Sequence, residues 1–247
     1  MFKRISALTW LRNQILLTNK NLLVQMLMPY MLVFLYKNFM TGQAGGKEIM
    51  FVCLSTAISM SVGSMISTII AEEKEKNNLK TLILSGVRYH EYILSVLIHP
   101  LIITVVTMIA FPIITDVDLR GLYVEYIFVI LMTSLAVILV NLCIGLISET
   151  QSKAQINSLP ILFVVSLLPM FSGMKESVKE VVDYTFMAAY TDFFTKESFQ
   201  LSEHSFKVLV LWNVALFVLT VIALKNSKKT KTSKQNFKMS KNIIKYI

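Results

Sequence analysis

Residues Ala71 to Leu97 read AEEKEKNNLKTLILSGVRYHEYILSVL, the one stretch in which dense charge is wedged between two long apolar runs. Four acids (Glu72, Glu73, Glu75, Glu91) and four bases (Lys74, Lys76, Lys80, Arg88) share it. Leaving any of them unpaired in hydrocarbon would cost several kcal/mol, so the stretch belongs at an aqueous edge of a bilayer. Within it Leu79, Leu82, Ile83 and Val87 recur at helical spacing while Lys80, Thr81 and Ser85 fall on the other side. That spacing predicts a short amphipathic helix, with Gly86 placed to end it.

The composition of the whole chain agrees with a membrane setting. Of 247 residues, 55% are apolar and 16% charged, and the mean hydropathy is +0.63. Such a chain is too apolar for an ordinary soluble domain. Cys53 and Cys143 both fall in apolar runs without ligand spacing, which points to buried thiols rather than a disulfide or zinc site. The basic start is followed by a polar-interrupted segment with no cleavage motif, so no cleaved signal peptide is expected.

Working outward, residues 1–20 set Phe2, Ile5, Leu8, Leu11, Ile15 and Leu16 against Lys3, Arg4, Arg12, Asn13 and Lys20. This is the pattern of a basic amphipathic helix lying in a membrane interface. Six spans are expected in the body at 21–224, near 21–40, 49–71, 92–115, 122–147, 157–171 and 205–224, at lengths that suit a hydrocarbon core of about 30 Å. The fifth is short, and Pro160 and Pro169 are placed to kink it or stop it partway. Both termini, the stretch after span two and the loop after span four together hold 17 of the 24 Lys and Arg but only 5 of the 15 acids. By the positive-inside rule that side is cytoplasmic and both termini are inside.

The outer connections are two short turns, 41–48 and 116–121, and one long segment, 172–204. The long one carries Val178, Val181, Val182, Tyr184, Phe186 and Met187 among its charges, which predicts short helices at the outer face. Phe193, Phe194 and Phe199 either close a cap there or pack against neighbouring helix ends. The tail, 225–247, has eight lysines and no acid. Such a run is normally disordered and solvated, and is drawn to anionic lipid by about 1 kcal/mol per lysine near the surface. Tethered to six spans, it has lipid within reach, and no nucleic-acid partner is expected.

Acids closing the second span, a Leu-x-x-Leu helix, a breaker, a basic turn and a return into the membrane together resemble the ABC-2-type permeases of ATP-driven exporters. The residues that carry the resemblance are Glu73-Lys74-Glu75, Asn77-Asn78-Leu79 and Leu82-Ile83. Asn77 stands where that family usually has Gly, Asn78 where it has Thr, and Gly86 near its usual Pro. The resemblance implies an all-α integral membrane fold: an interfacial helix, six transmembrane helices, a coupling helix between spans two and three, and external helices between spans five and six. It also implies that segment 72–91 docks on a separate nucleotide-binding ATPase subunit, through Glu72, Glu73, Glu75, Asn78, Leu79, Leu82, Ile83, Gly86 and Arg88. The interfacial helix either shares that contact or serves only as a lipid anchor.

ATP and magnesium are then expected on the partner and no cofactor on this chain. The run Gly42-Gln43-Ala44-Gly45-Gly46-Lys47-Glu48 superficially suggests a phosphate loop, but its spacing is wrong and Glu48 replaces the required Ser or Thr. His90, His99 and His204 share no evident face with a nucleophile or carboxylate, so no catalytic or metal site is expected. Ser59, Ser64, His99 and Asn141 are candidates to line a pathway, with helix-to-helix bonding as the commoner use of such residues. A second permease subunit, identical or different, would complete the pathway. A pathway without charge suits an amphipathic cargo, and small permeases of this kind are similar to exporters of antimicrobial peptides and of phenol-soluble modulins in a bacterial plasma membrane. Drug or lipid export, and a membrane sensor or assembly protein with no ATPase, are the alternatives.

Overall fold

Six helices of the computed structural model, which describes residues 2–39, 45–196 and 198–244, are long and apolar enough to cross a membrane. They are Lys20–Phe39, Gly46–Glu75, His90–Thr115, Tyr123–Ile147, Gln151–Ser172 and His204–Lys225, here spans one to six. All six expected spans are present, and every regular element among the described residues is helical. Residues 40–44, which hold most of the first outer turn and the start of the glycine-rich run, lie outside the described residues. Lys47 and Glu48 already belong to span two.

Two boundaries differ from the sequence expectation for local reasons. Span five begins six residues early, at Gln151, because the Thr150 hydroxyl accepts the Lys153 N–H at 3.3 Å and caps the helix. Its helix passes through Pro160 and breaks only at Leu167, ahead of Pro169 at the start of Leu168–Ser172. The last helix runs without interruption from His204 to Ile244, where the lysine-rich composition predicts coil. A formed span removes the nucleation cost, and lysine propagates a helix well.

Spans two and four make the centre: 78% and 61% of their apolar windows are buried, against 28% or less in the other four. Their closeness follows from small residues. Span two carries a π-helical segment, Ile58–Ser64, and a Cβ on Gly63 would sit 2.6 Å from both Asn141 Nδ2 and Val137 Cγ1 of span four. One turn and a half further along, Gly145 of span four lies against Ser67 and Ile70. Two hydroxyls of span two bond outward, Ser61 Oγ to the Met26 carbonyl at 2.8 Å and Ser67 Oγ to Ser158 Oγ at 2.9 Å. Three of the residues offered above for a pathway lie at these crossings. Ser59, Ser64 and Asn141 are buried inside the chain, with Ser64 Oγ donating to the Ser59 carbonyl and Asn141 Nδ2 to the Val137 carbonyl. Small polar side chains at close crossings commonly bond their own and adjacent helices.

Helices Glu176–Asp183 and Ala188–Thr195 connect spans five and six. The buried rings of Tyr190, Phe193, Phe194 and Phe199 interlock there, with Tyr190 stacked on Phe51 at 5.6 Å and donating its hydroxyl to the Phe51 carbonyl at 2.6 Å. Packing of the helix ends is thus what these aromatics do in this chain.

Candidate functional site

The charged end of span two is a junction in which four consecutive residues each hold a different part of the fold. Glu72 accepts from Asn19 Nδ2 at 3.1 Å and pairs with Lys76 at 2.5 Å. Glu73, next to it, is paired with Arg12 of the leading helix, Phe2–Thr18, with Nε to Oε1 at 3.3 Å and Nη2 to Oε2 at 3.4 Å. Arg12 is 2% exposed and Glu73 4%, so this pair lives in low dielectric and needs its further partners. Arg12 Nη1 donates to Ser95 Oγ in span three, and the guanidinium lies 4.9 Å above the centre of the Tyr92 ring.

Lys74 and Glu75 face the other way. Lys74 Nζ donates to the carbonyls of Gly145, Leu146 and Ser148, the open end of span four. Glu75 Oε2 accepts the Gln151 N–H at 2.8 Å, at the start of span five. A cation at a helix C-terminus and an anion at an N-terminus both complement the helix dipole. Span two is therefore tied at one level to the leading helix and to spans three, four and five.

The chain then turns at Asn77, whose φ of 59° is left-handed. Asparagine reaches that region more easily than any residue but glycine. Helix Asn78–Leu84 follows and ends in a Schellman turn, with Gly86 N–H bonded to the Ile83 carbonyl and Val87 N–H to that of Leu82, both at 3.1 Å. Gly86 has φ +89° and open space around its Cα, so backbone geometry alone demands glycine. Gly86→Ala is expected to cost about 1 kcal/mol at this turn, seen as faster amide exchange across residues 78–87 with the spans unaffected. Arg4 Nη1 donates to the Gly86 carbonyl at 3.0 Å and lies 3.8 Å from Glu91. The Arg88 N–H in turn donates to Glu91 Oε2 at 3.0 Å, starting span three.

The aqueous face of this junction is narrower than the apolar spacing suggests. Leu79 is buried against Tyr92 and Ile70, and Leu82 and Val87 are half-buried against the same cluster. Ile83 and Leu84 are the exposed apolar residues, at 38% and 72%. Arg88, Gly86, Asn78 and Glu75 are exposed.

Across residues 6–224 the chain matches the family model described as ABC-2 family transporter protein. The chain belongs to that family. No curated protein and no solved structure matches it. The permease is accordingly the membrane component of an ABC transporter, not itself catalytic, and its family implies an ABC ATPase partner.

Set against the residues named from sequence, the permease brings Glu72, Glu73 and Glu75 together but spends them on internal bonds. Glu72, Glu73 and Leu79 are buried in the chain, at 7%, 4% and 1% exposed. The physical reason is shared: each found a complementary group within its own chain. His99 stands apart from the junction residues that bond one another, half-buried in span three with Nδ1 making no hydrogen bond among the described residues. Arg12, Asn19, Lys74, Ser95 and Leu84 were missed by the sequence reading. Arg12 had a signal in its spacing, since Leu8, Arg12 and Leu16 recur every fourth residue and all three are buried. Trp10 and Leu17, on other faces of the leading helix, are 65% and 59% exposed.

Proposed function

We propose that this permease forms, with a second permease subunit, the export pathway of an ATP-driven transporter for amphipathic peptides of the phenol-soluble modulin type. Its charged end faces the bacterial cytoplasm, and helix Asn78–Leu84 seats in a separate ATPase subunit that holds ATP and magnesium. The observation that carries this reading is the pair Ile83 and Leu84, apolar and uncovered, at the tip of a helix whose root is tied to the leading helix and to spans three, four and five. An uncovered apolar tip seeks a partner, and a wired root passes on any displacement the partner imposes. The excess of Lys and Arg at that end supports the orientation, and anionic lipid is the natural neighbour of the lysine-rich tail.

Peptide cargo is the reading that the resemblance to small peptide-exporting permeases supports. Span three turns Ile102, Val105, Val106, Ile109 and Ile113 outward without a charge among them, a face suited to lipid or to a second permease subunit. The test is capture of the tagged permease with its co-expressed ATPase in mild detergent, followed by an ATPase assay with amphipathic peptides, drugs and lipids. Ile83→Asp with Leu84→Asp is expected to lower captured ATPase by about tenfold or more while leaving membrane insertion intact. Undiminished capture would reject the docking role, and stimulation by drugs or lipids alone would reject peptide cargo.

A further inference from the structure

Span two is two α-helical arms, Gly46–Ala57 and Met65–Glu75, joined by the π-helical segment Ile58–Ser64. Ser64 Oγ shows the wider turn directly. It donates to the Ser59 carbonyl five residues back at 3.2 Å, where Ser55, Ser67 and Ser158 reach three or four residues back. A π turn interrupts the regular backbone ladder and is one of the few identifiable places where a helix bends. Span two also changes neighbours here. The inner arm packs chiefly on spans four and five, and the outer arm on spans one and three, with span five and helix Ala188–Thr195 beside it. Span one carries a break of its own at this level. Ser61 Oγ bonds the Met26 carbonyl at 2.8 Å, three residues before Pro29, and a proline inside a helix removes a backbone bond. Further out, the arm is fastened to the external helices by Tyr190, which is wholly buried, stacks on Phe51 and donates its hydroxyl to the Phe51 carbonyl. Lys47 Nζ adds an exposed contact to the Lys196 carbonyl at 3.4 Å.

We propose that Ile58–Ser64 is a hinge and that the outer arm of span two is a flap, latched shut by the Tyr190 hydroxyl. The pivot is fixed from below. Gly63 lies so close to Asn141 and Val137 that a Cβ has no room, and Lys74 and Glu75 hold the inner arm to the ends of spans four and five. When the latch opens, the outer arm swings about the π turn together with the outer half of span one, which bends at Pro29. The other contacts it leaves are made by Ile49, Met50, Cys53 and Leu54, apolar and non-directional, so they separate and re-form without stranding a polar group. The arm has 12 residues, and a bend of about 20° at its root would carry its tip about 6 Å, which opens the wall around Cys53 to water. The device belongs to the permease chain itself and does not depend on the cargo or the ATPase proposed above.

Two native thiols provide the test. Cys53 sits in the flap and is 2% exposed, whereas Cys143, in the inner half of span four, lies outside it. The full-length permease in phosphatidylcholine nanodiscs is treated with a trimethylammonium methanethiosulfonate, a charged reagent that reaches a thiol through water, and each cysteine is followed by mass spectrometry. Tyr190→Phe keeps the ring and removes the latch bond, and is expected to speed modification of Cys53 by about tenfold with Cys143 unchanged. An unchanged Cys53 rate, or equal acceleration of both thiols, would overturn the flap, the second because it shows general loosening. Two further variants test the hinge in the Tyr190→Phe background. Deletion of Met60, which is only half-buried, removes the extra residue of the π turn while both arms keep their register. Pro29→Ala restores the backbone bond of span one without shortening span two. Each is expected to cut the gain at Cys53 by about threefold or more, and a full gain in both variants would reject the hinge.

Discussion

Arg12→Ala is expected to destabilise the permease by about 3–5 kcal/mol, the cost of leaving a buried partner charge uncompensated. Glu73 is 4% exposed, so loss of the guanidinium leaves its carboxylate largely desolvated without its counter-charge. The loss is compounded at Ser95 and Tyr92, which the same guanidinium contacts. Arg12→Lys should recover little, because one ammonium cannot reproduce a fork that reaches Glu73 through two nitrogens and Ser95 through a third. Arg12→Met combined with Glu73→Met should recover most of the stability, since an apolar pair of similar volume avoids the desolvation cost altogether. Thermal unfolding of the four proteins in nanodiscs provides the measurement. A single Arg12→Ala variant as stable as the parent would mean that the leading helix is not anchored through this pair.

Gly63→Val is the second large effect expected, about 1–3 kcal/mol or more from overpacking. The Cβ alone would lie 2.6 Å from Asn141 Nδ2 and Val137 Cγ1, closer than any carbon contact allows, and branching adds two further atoms. Span two cannot retreat, because Ser61 holds span one and Ser67 holds span five on its other sides. Val137→Ala in the same chain removes one of the two obstructing groups and should restore part of the loss, whereas a distant Val→Ala change should not. A strictly additive double variant would show that the two residues do not meet.

How much of this was legible beforehand depended on which physical signal each feature leaves in a sequence. Apolar length made the six spans plain, and the left-handed turn at Gly86 was readable because glycine is the residue that adopts it freely. The bonding of the junction was not readable, because charge near a span end is equally consistent with solvation and with a partner elsewhere in the chain. Glu73 and Arg12 are 61 residues apart, and no local pattern links them. Leu82 and Leu84 show the same limit at finer scale. Periodicity put Leu82 forward, yet the turn at Asn77 rotates the helix so that Leu82 leans on the body and Leu84 stands clear. Thr150 did leave a signal, a hydroxyl just ahead of span five, but its helix start is polar and the apolar run begins later.

Lys74 and Glu75 are neighbours on span two, yet one sits on the negative end of span four and the other on the positive end of span five. Their order is a polarity key. Each successive residue of a helix is turned by about 100°, so slipping span two by a single position would bring a carboxylate toward carbonyls or an ammonium toward N–H groups. Attraction would become repulsion at two places together. The hairpin of spans four and five can therefore seat on span two in one register, and a thrust delivered to that span moves the hairpin with it rather than sliding past.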